Sequence, residues 1–316
     1  MADNDDVKAP RKSGRVWKVL VVIVVVALVG ALGYLALRAL DRPRAAKAQL
    51  ANAAAMLSQA EPDVLAIDSA VRSEVTSALA DAATEAYDTI DPTEATLTEA
   101  LGVIADARAD LADEDVALAG ALESAITSRM DMLDEAKIIL ATDKRAATVV
   151  GPAAEAWQLV ADAEKLSDSA VAQYNKHTKA GVSQSTSLTV EAETRLTAAR
   201  SALGTVTAGF AEADMSPFVA YIDGKLKLLA SSKKIDATWL AGKVEDANKL
   251  LDAYNAEEKK VIALADKLPE SPTAVVAAAY EALTSEAITR YFDARDAART
   301  ADAAIKAIGD AQADKK

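Results

Sequence analysis

Residues 240–268 read LAGKVEDANKLLDAYNAEEKKVIALADKL. Leu240, Val244, Ala247, Leu251, Tyr254, Val261 and Leu268 stand on one stripe, with Glu258 and Ala265 filling its two gaps. The steps alternate four and three, the spacing that keeps one side of an α-helix against a partner over many turns. Val276, Tyr280, Leu283, Ala287, Arg290, Ala294, Ala297 and Ala301 repeat the rhythm, as do Leu159, Ala163, Leu166 and Ala170. No window sustains the period-two alternation of a half-buried strand. The fold expected is all-α, with antiparallel helical bundles packed like coiled coils.

Composition agrees. Apolar residues make up 51% of the 316, aromatics only 4%, and Ala is the commonest apolar residue. Ala has the highest helix propensity and lets helix axes approach closely, which favours slim bundles with small-residue seams. The chain has no Cys, so disulfide staples, thiolate metal sites and thiol nucleophiles are excluded. It also lacks an Asn-X-Ser/Thr acceptor, and we expect a bacterial source.

Charge is uneven. Residues 1–47 carry nine Lys and Arg against four Asp, and the rest carry 26 against 44, within a net charge of -13. An acidic body repels nucleic acid, so no nucleic-acid partner is expected. The basic part flanks a charge-free run, VLVVIVVVALVGALGYLAL, at 19–37. Nineteen such residues span about 28 Å as a helix, close to the thickness of a bilayer core. Trp17, Lys18, Tyr34 and Arg38 stand at its ends as interfacial anchors would. The expectation is a transmembrane helix over 17–40 with the lipid bilayer as partner through 19–37, a short cytoplasmic tail (1–16), and an extracytoplasmic C-terminal domain at a Gram-positive cell membrane. Ala27-x-x-x-Ala31 offers a face for a homo-oligomer.

Pro and Gly divide the rest of the chain. Helices are expected at 43–60, 62–90, 92–111, 114–147, 152–180, 188–213, 217–232, 235–268 and 272–309, with the Ser-rich stretch 181–187 as a break between bundles. Ser271-Pro272 and Ser216-Pro217 present a capping Ser before a first-turn Pro. Asp113, Glu114 and Asp115 place negative charge at another helix start.

Internal echoes suggest duplication. A Glu-Ala…Ala-Arg frame recurs at Glu99 and Arg108, Glu191 and Arg200, and Glu286 and Arg295. LATDK (140–144) echoes LASSK (229–233), Trp157 before DAEKL (162–166) echoes Trp239 before DANKL (246–250), and Tyr174-Asn175 echoes Tyr254-Asn255. The organisation expected is membrane-proximal helices (41–91), one bundle repeat at 92–180, a second at 188–268, and a truncated third or C-terminal helix at 272–316.

The stretch YDTIDPTEATLTEALGVIADARADLADEDVALAGALESAI (87–126) combines a Tyr-Asp-Thr and Pro-Thr-Glu start, an Ala-rich helix and an acidic turn before a second helix. In this it resembles the FIVAR-type three-helix modules of Gram-positive surface proteins, although the usual Trp after the start is missing and the later units depart from the pattern. The resemblance implies three-helix repeats, surface display, and a role in adhesion or spacing.

Chemistry is sparse. His177 is the only His and lies near a helix end, where a solvated imidazole suffices. Asp110, Asp113, Glu114 and Asp115 cluster without a calcium-loop pattern. Trp157 and Trp239 are read as bundle packing or a ligand platform, and Arg108, Arg200 and Arg295 as partners for acids on neighbouring helices. No catalytic residue, cofactor or metal is expected, and the chain is read as no enzyme. The first functional expectation is a membrane-anchored structural spacer or protein-interaction module with a protein or cell-wall partner. The second is a ligand-binding sensor or accessory subunit of a membrane complex, marked by a polar-lined cavity between helices.

Overall fold

The computed structural model describes the backbone of residues 14–314 and the side chains of residues 41–314. Among the described residues seven helices occur in order: α1 (Gly14–Val71), α2 (Leu79–Ala107), α3 (Asp113–Tyr174), α4 (Lys179–Gly209), α5 (Ser216–Leu240), α6 (Val244–Ala265) and α7 (Pro272–Ala313). A 3-10 turn, Arg108–Asp110, precedes α3, and no strand occurs among the described residues.

The expected membrane span is corrected. Among the described residues no helix is long and apolar enough to cross a membrane, so an N-terminal transmembrane helix and a single-pass location are unsupported. The run at 19–37, the residues Trp17, Lys18, Tyr34 and Arg38, and the Ala27 to Ala31 spacing lie outside the residues whose side chains are described. Helix α1 runs on past Asp41, Arg42, Arg44 and Lys47 and ends at Val71.

The seams explain why the helices are so long. In α1 the residues Ala46, Leu50, Ala53, Leu57, Ala60, Val64 and Ile67 are all buried, spaced four and three. The same spacing holds in α2 for Leu79, Ala83, Ala86, Ile90, Thr93, Leu97, Ala100, Ile104 and Ala107, and in α4 for Val182, Ser185, Thr189, Ala192, Leu196, Ala199, Leu203 and Val206. Pro43, Pro62, Pro92 and Pro152 therefore do not divide helices as expected; each lies inside one. An interior Pro costs a helix about 3 kcal/mol, but burying one Leu or Ile returns roughly 1.5–3 kcal/mol, and Ile90 and Leu97 flank Pro92 on the buried seam.

In α3 the seam carries charge at regular intervals. Asp115, Arg129 and Asp143 are fourteen residues apart and buried, at 3%, 5% and 1% exposure. A polar group at a seam position lowers stability but specifies register, because any slip leaves it unpaired. Asp115 meets Lys47 at 3.3 Å, and Arg129 meets Glu61 at 2.8 Å. Asp143 has the Tyr280 hydroxyl beside it, and burial pushes its carboxyl up to about 6.

The chain forms two compact units. One comprises the described parts of Met1–Gln59, Thr96–Thr127 and Ala298–Lys316. In it Arg42 and Lys47 pair with Asp110 and Asp115, both partners advancing five residues, so α1 and the start of α3 run in one direction. The other comprises Ala60–Ala95 and Ser128–Ala297. There Arg145 meets Glu212, Arg200 meets Asp223 and Lys233 meets Glu193, so that α3, α4 and α5 alternate in direction. Gly224 of α5 faces Val261 of α6, which reverses direction again.

The breaks are short. The expected Ser-rich break at 181–187 is helical, because Val182, Ser185 and Thr189 are buried on the α4 seam, and the Thr189 hydroxyl is satisfied by the Ser185 carbonyl one turn back. The chain turns instead at 175–178. His177 takes φ 49°, and Thr178 accepts from the Gly181 N–H at 3.0 Å as the cap of α4. A Cβ on Gly181 would stand 2.6 Å from the Gln173 carbonyl oxygen. The expected helix at 235–268 is split at Gly242, φ 78°, a conformation that side chains resist. Ser271 caps α7 as expected, accepting from the Ala274 N–H at 3.1 Å. Ser216 does not cap α5; its own N–H donates to Asp214 at 2.9 Å.

Both the turn before α4 and the buried acid of α3 have measurable consequences for stability. In urea unfolding, Gly181→Ala lowers stability by about 1–3 kcal/mol, since the opposing atom is backbone, whereas His177→Gly raises it by about 0.5–1 kcal/mol. Asp143 binds its proton more tightly folded than unfolded, its carboxyl rising from 3.8 to about 6. Wild-type stability therefore falls as pH rises through that window. Asp143→Asn gains about 1–2 kcal/mol near pH 7.5, and the gain shrinks toward pH 5.

Candidate functional site

The last turn of α3 and the middle of α6 meet beside α5, and α6 is packed thinly. Its buried side chains are Ala247 and Val261. Val261 approaches closely because Gly224 lies opposite; a Cβ there would sit 2.9 Å from Val261 Cγ2. Between Ala247 and Val261 the half-buried Leu251 and Tyr254 leave space, and a cavity of about 190 Å³ opens.

The cavity is floored by Ile235 and Asp236 of α5 and Ser185 of α4, all buried. Its walls are Tyr174 at the end of α3, Ser232 of α5, and Leu251, Tyr254 and Glu258 of α6. Val171, Asn175 and Asn255 stand at the exposed rim. The Tyr-Asn pairs that echo each other in the sequence, Tyr174-Asn175 and Tyr254-Asn255, thus line one cavity from two helices. A smaller space of about 140 Å³ adjoins it, sharing Val171, Tyr254 and Glu258 and reaching Tyr221 and Lys225.

Asp236 dominates the electrostatics. It is 1% exposed, and burial raises its carboxyl above the usual range, opposed by hydrogen bonds from Ser185 and Thr186. The Thr186 hydroxyl lies 3.1 Å from Oδ2. Burial and the Asp236 charge raise the Tyr174 hydroxyl; burial and the Glu258 charge raise that of Tyr254. None of the lining residues is basic. In the adjoining space Lys225 is engaged, 3.4 Å from Glu164, which also accepts from the Tyr221 hydroxyl.

The residues singled out in the sequence stand elsewhere. Trp157 packs edge-on against Phe218, centroids 5.3 Å apart. Trp239 is half-buried one turn beyond Asp236, and its carbonyl accepts from the Gly242 N–H at 2.9 Å. Neither lines the cavity. Arg108 pairs with Glu123 at 2.9 Å, Arg200 with Asp223 at 2.7 Å, and Arg295 with Asp68 at 2.8 Å. Arg295 is largely shielded and shares Asp68 with the buried Tyr291 hydroxyl. His177 is exposed and lies edge-on to Tyr174 at 5.9 Å. Among the described residues no group of three or more His, Cys, Asp or Glu is placed to hold a metal ion.

Asp236, Ser185 and Ser232 are not among the residues that the sequence brings forward. A signal exists for Asp236: it comes after Ile222 and Leu229 at seven-residue steps, all three buried, so an acid occupies a seam position. No family model matches the chain, and neither curated proteins nor solved structures provide a match.

The close approach that shapes the cavity is testable. Val261 is β-branched and stiff, so Gly224→Ala loses about 1 kcal/mol net in urea unfolding, the clash outweighing the gain in helix propensity. In a Val261→Ala background the same change becomes neutral or stabilising by up to about 1 kcal/mol.

Proposed function

We propose that this chain is a helical-bundle binding protein that holds a small molecule between α3, α5 and α6, as a sensor or an accessory subunit of a larger assembly. The reading rests on one observation: two Tyr-Asn pairs on separate helices converge on a cavity whose floor is a buried, desolvated carboxylate. Burying an acid without a cation lowers stability, and such costs concentrate where a ligand recovers them. A concave space with an apolar wall and a few convergent polar groups is the usual form of a small-molecule site.

Binding rather than catalysis is the proposed mode. The cavity offers two acids, two hydroxyls, two phenols and two amides, and the single His of the chain lies on the exposed turn before α4. We further propose that α6 and the end of α3 descend from one duplicated segment. In support, Ala163 of DAEKL and Ala247 of DANKL are both buried, and both copies of Tyr-Asn reach the same space.

A second reading, a structural spacer or protein-interaction module, draws on the acidic surface and on exposed large apolar side chains such as Leu65, Val116, Ile138, Val190, Val244 and Ile262. These are distributed over α1, α3, α4 and α6, and single exposed apolar residues are ordinary on soluble surfaces. The cavity is the more specific feature.

The chain has seven Tyr residues, which makes tyrosine-selective isotope labelling informative. Titration with a mixed library of small charged and neutral compounds is expected to shift the Tyr174 and Tyr254 signals while leaving Tyr87 and Tyr291 in place. If no compound moves Tyr174 or Tyr254, the ligand-binding reading fails.

A further inference from the structure

We propose that the cavity takes a small organic cation, an ammonium-bearing molecule seated between the Tyr174 and Tyr254 rings with Asp236 as its counter-ion. This rests on the ligand-binding reading above and specifies its ligand class.

Charge selects the class. The lining holds Asp236 and Glu258 and no Lys, Arg or His, so an anion entering the space meets two acids and no compensating base. Lys225 in the adjoining space is engaged by Glu164 at 3.4 Å, and Lys233, next to Ser232, by Glu193. A neutral polar molecule satisfies the Asn and Ser groups but leaves Asp236 held only by the Ser185 and Thr186 hydroxyls, whereas a cation supplies the opposite charge that its desolvated carboxylate lacks. A bare metal ion is disfavoured by the shortage of ligating groups, since no metal-holding cluster occurs among the described residues.

Shape and chemistry agree with charge. Tyrosine faces attract cations through the ring quadrupole, most strongly when water is excluded, and recurrent aromatic walls are the known means of holding alkylated ammonium groups. Tyr174 and Tyr254 supply such walls from α3 and α6, and Leu251 and Ile235 accept the alkyl part. A cavity of about 150 Å³ admits benzene, so one of about 190 Å³ admits a ligand of roughly seven to ten non-hydrogen atoms. The two Asn side chains at the rim are placed for a hydroxyl or carbonyl at the far end of such a molecule.

The test is calorimetric titration of the full chain with choline, with its uncharged carbon isostere 3,3-dimethylbutan-1-ol, and with meso-erythritol, a neutral polyol that fits the same space. Choline is expected to bind at least about tenfold more tightly than either neutral compound. Asp236→Asn should cost choline about tenfold while leaving the isostere unchanged. Tyr254→Leu should weaken choline and Tyr254→Phe should keep it, because the ring face is retained. Helix content by circular dichroism checks that each variant is folded. Equal binding of choline and the isostere, or undiminished choline binding by folded Asp236→Asn, overturns the proposal. Failure of choline to bind, with neutral compounds still shifting the Tyr174 and Tyr254 signals, overturns the cation and leaves the ligand-binding reading standing. If no compound of any charge shifts those signals, both fall.

Discussion

Close packing of small side chains along seven-residue seams is the constraint on which the rest of this structure depends. With aromatics at 4% of the chain, large interlocking side chains are scarce. Helices must approach through Ala and Gly, as at Ala53, Ala60, Ala83, Ala100, Ala192 and Ala199, all essentially inaccessible to water. Ala–Ala contacts are permissive about register, because one small residue substitutes for another after a slip. Specificity then has to come from polar residues set into the seams: Thr93, Asp115, Arg129, Asp143, Ser185, Thr189, Asp236 and Thr284. Asp115 and Arg129 meet partners of opposite charge, and Arg129 is shielded while Glu61 stays partly exposed. Such pairs add little net stability, but any other alignment buries a charge without its partner.

The cavity is a local exception to the same rule. On α6 the seam legible in the sequence is only half used, since Ala247 and Val261 are buried while Leu251, Tyr254 and Glu258 are not. Close contact through Gly224 and the tight turn at Gly242 hold this helix on α5. The unfilled stretch between those two fixtures becomes a space rather than a collapsed core. Tyr is suited to its wall, being large enough to shape the space and polar enough to face it. Placing Asp236 in the floor applies the register device of the other helices to a position where the facing seam is incomplete.

Much of the fold is legible in the periodicity. Helical class, the cap at Ser271, the acidic start of α3 at Asp113 and the pairing of Arg108, Arg200 and Arg295 with acids follow from spacing and residue type. Breaks are harder, because local signals compete with burial. Pro62 and Pro92 look like boundaries but lie in helices whose seams are too continuous to interrupt, and the Ser-rich start of α4 is helical because Val182, Ser185 and Thr189 are buried on its seam. Conversely, the turn at 72–78 has neither Gly nor Pro and leaves no mark. The apolar run at 19–37 reads as a membrane segment from its composition, whereas no helix among the described residues is long and apolar enough to cross a membrane. The site is legible only as an echo. Tyr174-Asn175 and Tyr254-Asn255 stand out as a repeat, but their convergence depends on the opposed directions of α3 and α6, which a linear sequence does not display.

Register is therefore the quantity to measure. The chain has no Cys, so introduced pairs report without background. A Cβ on Gly209 of α4 would lie 2.7 Å from Val149 Cγ1 of α3, a proximity that suits a disulfide once both residues are Cys. Under mild oxidation, Gly209→Cys with Val149→Cys should cross-link rapidly and completely within one chain, while Gly209→Cys with Ala156→Cys, displaced one heptad along the same buried seam, should not. Equal cross-linking of the two pairs would contradict the account, because it would show that these small-residue seams slide and that their buried polar groups do not hold the helices in place.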